Sequence, residues 1–171
     1  MARYIIIILI SFISSCNSDS SEQIREEVAG IAEEYALGQL KDAKRTVLGN
    51  GTIIISGQEK RYIIDPSKII VTLIDDDQVN DAVIPVTSFI GKEPDLVEHL
   101  FIINTDGKLM LIRTTESDMK ILQIRDRVIT TQQHTKPRTS PLYNCASCQE
   151  IVNYRFINGD LVKIEQEEQK K

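Results

Sequence analysis

Aromatic residues are scarce in this 171-residue chain, at 5%, its net charge is −5, and no run of Lys and Arg forms a basic stripe. A nucleic-acid-binding surface is built from clustered positive charge and stacking aromatics, so nucleic acid is excluded as a partner. There is no glycine-rich phosphate loop. No Gly-x-Ser-x-Gly elbow surrounds Ser88, Ser117 or Ser140, which removes the usual signature of a hydrolase triad. No repeat of solenoid length is found. Histidine is limited to His99 and His134 and cysteine to Cys16, Cys145 and Cys148, so any metal or thiol chemistry has few places to sit. What remains is long enough for one domain with a real core.

The N-terminus reads as an address. Arg3 supplies a positive start, and Tyr4 to Ile13 is an apolar run of ten residues with Ser11 as its one polar member. Crossing a bilayer takes about 20 apolar residues, so this run is too short for a span but suits the apolar region of a signal peptide. Ile13-Ser14-Ser15-Cys16 resembles a bacterial lipobox, in which the small residues fit the signal peptidase and the Cys16 thiol carries diacylglycerol. The competing reading is a buried apolar segment with an incidental cysteine. On the lipobox reading, residues 1–15 are the signal peptide, Cys16 is the new N-terminus, and the membrane is a partner through acyl chains rather than a helix. Asn17 after the cysteine, in place of aspartate, favours the outer membrane by resemblance to the sorting rule of enteric bacteria.

The chain is organised around Lys68 to Phe89. Ile69 to Ile74 is almost continuously β-branched, with apolar residues destined for both faces of a strand, which predicts a central strand. Ala82 to Phe89 is its partner. Pro85 cannot donate to a ladder, which predicts that this second strand is an edge or that Pro85 sits at a bulge.

Residues 16–21 are read as a tether, 22–165 as a single domain and 166–171 as a charged, disordered tail. Ser20 and Gln23 suit a capping box. From there Ile24, Val28, Ile31 and Tyr35 recur at helical spacing, and the stripe shifts by one position to Ala36, Leu40, Ala43 and Val47. The pattern predicts one amphipathic helix ending before Gly49-Asn50-Gly51, laid on a sheet or, alternatively, docked on a partner. Short strands follow at Thr52–Ser56 and Arg61–Ile64. Beyond the charged GKEPD loop at Gly91–Asp95, hairpins turn at Thr105-Asp106-Gly107, at Arg125-Asp126-Arg127 and at Asn158-Gly159. The expected fold class is α+β: an N-terminal amphipathic helix packed on a mainly antiparallel, curled β-sheet.

Three clusters could carry chemistry. Asp75, Asp77 and Asp81 have a spacing that calcium, which takes six to eight oxygens, could use. No glycine lets this turn bend sharply, and the competing reading is a solvated acidic turn. Cys145 and Cys148 form a CxxC outside the cytoplasm, read as a local disulfide. Redox chemistry and zinc are its alternatives. Redox pairs normally stand at a helix N-terminus, whereas this pair precedes a strand, and zinc would need His99 and His134 as further ligands. His99 opens an apolar strand and is expected to be partly buried and hydrogen-bonded. His134 is expected to be exposed. Glu98, Glu116 and Asp118 could come together as carboxylates only through the fold.

LIDDDQVNDAVIPV (Leu73–Val86), HLFIINTDGKLML (His99–Leu111), ILQIRDRVITTQQ (Ile121–Gln133) and PLYNCASCQEIVNYRFINGDLV (Pro141–Val162) together resemble a group of secreted bacterial lipoproteins. That group is built around a strand, an aspartate-rich turn ending in Asp-Ala, and a second apolar strand. The chain departs from the pattern in lacking glycines in the acidic turn, and the resemblance implies a fold and a location rather than an activity. The function expected is therefore a non-catalytic, lipid-anchored cell-envelope protein acting as a binding or accessory module, with no cofactor other than the calcium considered above. The alternatives are an immunity or inhibitor protein, whose carboxylates would steer a basic toxin or hydrolase, and a thiol–disulfide enzyme using Cys145 and Cys148.

Overall fold

The computed structural model describes residues 18–117, 119–136, 139–141, 145 and 147–165, with side chains at all of these except 18–20, 116 and 117. The segment read as a signal peptide, Cys16 and the charged tail lie outside the described residues. The helix α1 runs Ser18–Gly38, so it begins inside the stretch read as a tether. A sheet follows with strands β1 (Lys44–Val47), β2 (Ile53–Ser56), β3 (Lys60–Ile64), β4 (Ile70–Thr72), β5 (Asp81–Ile90), β6 (Glu93–Thr105) and β7 (Lys108–Ser117). A second sheet holds β8 (Met119–Arg125), β9 (Val128–His134), β10 (Gln149–Ile157) and β11 (Asp160–Ile164). All described pairings are antiparallel.

The expected class is overturned. The chain is mainly β, with 55% strand against 15% helix, and its strands form two antiparallel sheets rather than one curled sheet under a helix. The reason is a change of sheet between β7 and β8, where a single residue separates a strand of the first sheet from a strand of the second. Strands that switch sheets make the corners of β-sandwiches. The apolar stripe assigned to the end of the helix is also corrected. Gly38 ends α1, and the residues from Lys44 to Val47 form β1, the fully exposed edge of the first sheet. The one-residue shift of the stripe at Ala36 marks that junction.

β5 and β6 form the middle of the first sheet, and period-two alternation gives each of their faces to a different core. Ala82, Ile84, Val86, Leu100 and Ile102 face α1, where Val28, Ala32 and Ala36 close a fully buried cluster. Small residues on the helix let it approach the sheet closely. Val83, Phe101 and Ile103 face the second sheet and pack against Ile129 and Phe156. The rings of Phe101 and Phe156 stack with centroids 5.8 Å apart.

The roles expected of the two organising strands are reversed. β4 is three residues long, only half-buried and paired to β5 alone, whereas β5 is central. β3 and β4 lie end to end along one side of β5. β3 stops at Ile64 opposite Val86, and β4 begins at Ile70 opposite Val83. Pro85 falls in the gap between them and faces His99 on its other side, so the missing N–H removes no ladder bond. A 3₁₀ turn at Pro66–Lys68 fills the interval, capped by Asp65, whose carboxylate accepts from the Ser67 backbone N–H at 3.1 Å. The three later hairpins turn as expected from their sequences. Asp106-Gly107, Asp126-Arg127 and Asn158-Gly159 each place two residues at positive φ, the backbone that matches strand twist. The GKEPD segment is mostly not a loop, because β6 already begins at Glu93.

Candidate functional site

The fold assembles the acidic turn into a knot rather than a solvated arc. Asp81 is completely buried and accepts three backbone N–H bonds. Its Oδ2 takes Ile74 at 2.9 Å and Asp75 at 3.3 Å, and its Oδ1 takes Asn104 on β6 at 2.9 Å. Asp75 and Asp77 fold the turn further by accepting from the backbone of Asp77 and Val79. Where a glycine would ease the bend, Gln78 takes φ 64°, a conformation that strains a side chain with a Cβ. Asp75, Asp77 and Asp81 do converge, with one carboxylate oxygen of each within 4.8 Å of the others, and they are the described residues that could hold a cation. Burial and the neighbouring carboxylates of Asp77 and Asp81 push the Asp75 pKa up, against the pull of its backbone hydrogen bond. The Arg127 guanidinium, from the β8–β9 turn, stands 3.5 Å from Asp76 and offsets part of this charge.

Cys145 and Cys148 are joined by a disulfide. The Cys148 N–H donates to the Cys145 carbonyl at 2.9 Å, and the Cys148 carbonyl accepts from Thr135, which extends the β9–β10 ladder by one step. β10 follows directly, so this pair does not stand at the start of a helix and lacks the dipole that activates redox cysteines. Glu98 and Glu116 are opposite one another on β6 and β7, while Asp118 lies outside the described residues. Glu98 faces the helix and accepts from the Tyr35 hydroxyl at 2.7 Å.

A mostly apolar concavity lies elsewhere. The stacked Phe101 and Phe156 fill one half of the space between the sheets. Over the other half the face of the first sheet is left uncovered, which creates a cleft of 730 Å³. Its floor follows from strand register. Ile63, Thr87 and Val97 lie in one cross-strand row, and Pro85 and His99 in the next. One wall is Met119 and Ile121 just after the change of sheet, and the mouth is framed by the 3₁₀ turn, with Lys68 and Asp65, and by Lys120. Mostly apolar walls around a few convergent polar groups are the usual make-up of a small-molecule site.

His99 corrects its expectation. It is only 5% exposed, yet its Nδ1 is buried without a hydrogen-bond partner. The Oγ1 of Thr115, its cross-strand neighbour on β7, is likewise buried and unpartnered. Burial lowers the His99 pKa from 6.5 to about 4, so the imidazole is neutral at pH 7. His134 lies at the rim of the same cleft and is half-buried rather than exposed. The sequence pointed to both histidines, and to Pro85 as a feature of the strand, but not to Val97. The one local signal was a histidine inside an otherwise apolar strand.

Two outcomes check these assignments. Asp81→Ala leaves three backbone donors without their acceptor and costs about 3–5 kcal/mol in urea unfolding, with Asp81→Asn losing roughly half as much. The loss persists in chelator, because the clamp is made of protein groups; a cost that vanishes on removing calcium would assign the clamp to the ion. For His99, the unfolded chain takes up a proton before the folded one does. Stability present above pH 6.5 is therefore lost as the pH falls toward 4, by up to about 3 kcal/mol. The His99→Leu variant lacks that portion of the decline, and parallel curves for the two proteins would show that the imidazole is not held neutral. A scan against family models finds no match to this chain, and neither do searches of curated proteins and of solved structures.

Proposed function

We propose that this is a non-catalytic protein of the bacterial cell envelope, held at the outer membrane by acyl chains on Cys16, that binds a small, mainly apolar molecule between its two sheets. The cleft carries the reading. It has a volume suited to a drug-sized ligand, apolar walls, and a few polar side chains, His99 and Thr87 among them, in its lining. The hydroxyl of Ser67 at its mouth donates to Asp65 at 2.6 Å, so it is not paired with a histidine base as a nucleophile would be. The membrane part of the reading is supported by the order of Arg3, the apolar run, Ser14-Ser15 and Cys16. No helix among the described residues is long and apolar enough to cross a membrane.

Val97 stands on the cleft floor and belongs to neither core, so Val97→Trp fills the site at little cost to the fold. The wild-type protein is expected to bind anilinonaphthalene sulfonate saturably at one site with enhanced fluorescence. The variant is expected to lose at least tenfold in affinity while keeping its circular dichroism spectrum. Unchanged binding by the variant would move the site away from the cleft. In a bacterial host, the full chain is expected to incorporate labelled palmitate and to sediment with membranes. Cys16→Ser is expected to do neither, and label retained by that variant would remove Cys16 as the attachment point.

A further inference from the structure

Charge is unevenly placed in the lining of the cleft. The interior, with side chains such as Ile63, Pro85, Val97 and Ile121, carries none, since His99 is neutral at pH 7. The acidic and basic side chains of the lining are Asp65, Lys68 and Lys120, and all three reach solvent at the mouth. The carboxylate among them is already committed. Asp65 Oδ1 accepts from the Ser67 backbone N–H at 3.1 Å and from its hydroxyl at 2.6 Å, while Oδ2 stands 3.8 Å from the Lys68 ammonium. Lys68 nevertheless keeps 63% of its side chain exposed, so an incoming anion can reach it. Lys120 makes no ion pair among the described residues. The mouth therefore holds two cations against one engaged carboxylate, in a chain whose net charge is −5.

Lys120 alternates along β8 with Met119 and Ile121, which wall the cleft. β8 is the outermost strand of the second sheet, and no described strand pairs beyond it. A lysine on such an edge can lay its aliphatic stem over the rim and keep its ammonium in water. An apolar interior under a positive mouth suits an amphipathic anion. Its tail displaces water from the apolar walls, and its head stays at the rim, where it meets the lysines without being stripped of water. A wholly apolar molecule gains only the first of these terms, and a cationic head would be set against two ammonium groups.

Resting on the reading of the cleft as a binding site, we infer that its ligand is an amphiphile with one apolar chain and an anionic head, a carboxylate or a phosphate, held at the mouth by Lys120 and Lys68.

Decanoate, decyl phosphate, decanol and decylammonium share one alkyl chain and differ only in the head. Each is titrated into the full chain, with Val97→Trp as the blank for binding outside the cleft. At least one of the two anions is expected to bind about threefold to fivefold more tightly than decanol, the difference an exposed ion pair makes. Decylammonium is expected to be the weakest. Which anion is the tighter distinguishes a carboxylate from a phosphate head. Salt near 1 M, where the screening length is about 3 Å, is expected to erase the preference. Lys120→Gln and Lys68→Gln should each lower it and together bring the anion to the level of decanol, whereas Lys120→Arg should keep it. Anions that bind no better than decanol would overturn the charged head and leave the cleft as an apolar site. Tightest binding of decylammonium would overturn it in favour of Asp65, and an anion preference that survives the double substitution would overturn the part given to the lysines. If Val97→Trp removes no binding of any of the four, nor of anilinonaphthalene sulfonate, the reading of the cleft itself is overturned.

Discussion

The structure depends on the ladder between β5 and β6. These two strands pair from Ala82↔Ile102 to Ile90↔Glu93, and they are the place where both cores meet. Burying a side chain such as Ile84, Leu100 or Phe101 is worth about 1.5–3 kcal/mol, and here alternate residues contribute that energy to opposite faces. A slip of one residue would exchange the two cores, so the register is fixed strongly from both sides. Asp81 adds a polar lock at one end. By accepting from Ile74 and Asp75 on one flank and from Asn104 on the other, it ties the turn before β5 to the far end of β6. A buried carboxylate is tolerated there because backbone donors replace its water.

The cleft is a consequence of how that ladder is covered. α1 covers one face, and the second sheet reaches only the half of the other face that holds Val83, Phe101 and Ile103. Beside Pro85, Thr87 and Val97 the second sheet contributes Met119, Ile121 and His134 as the side of a cleft rather than as a packed core. Pro85 belongs to this arrangement. It occupies the gap between β3 and β4, where the 3₁₀ turn detours past the strand and frames the mouth. An interior that serves stability alone is close-packed. Leaving apolar wall exposed to a cleft lowers stability, and that is the trade expected of a surface kept for a ligand.

Much of the strand order was legible in the sequence, because its signals are local. Asp106-Gly107 and Asn158-Gly159 are turn pairs that few other structures accommodate, and Asp126-Arg127 turns at the place its flanking strands require. The errors arose where one pattern has two physical solutions. A stripe of Ala36, Leu40, Ala43 and Val47 fits a helix, but Gly38 ends the helix and leaves the last residues to an edge strand. A proline in an apolar strand implies an edge unless a neighbour is interrupted opposite it, and the interruption between β3 and β4 is nonlocal. The acidic turn was legible as a unit, yet the burial of Asp81 was not, since it depends on Asn104 arriving from β6. The cleft was the least legible feature. The histidine was visible, but the cleft beside it was not, since its wall of Met119 and Ile121 arrives only after the change of sheet.

The two halves of the functional proposal also constrain each other. If Cys16 carries the acyl chains, only Asn17 separates it in sequence from the first residue of α1. An α-helix rises 1.5 Å per residue, so Arg25 stands about 10 Å along the axis from Ser18. Arg25 donates to the carbonyl of Ile69 at 2.8 Å, and Ile69 both joins the core under the helix and lines the cleft. A short, stiff connection thus runs from the point of attachment to the wall of the site. A protein anchored by a long flexible tether samples ligands from bulk solution, whereas one anchored through a helix holds its site at a set distance from the lipid. Such a distance suits a mainly apolar ligand. Molecules of that kind concentrate at the membrane interface, and a cleft fixed within a few nanometres of that surface meets them at far higher local concentration than water offers.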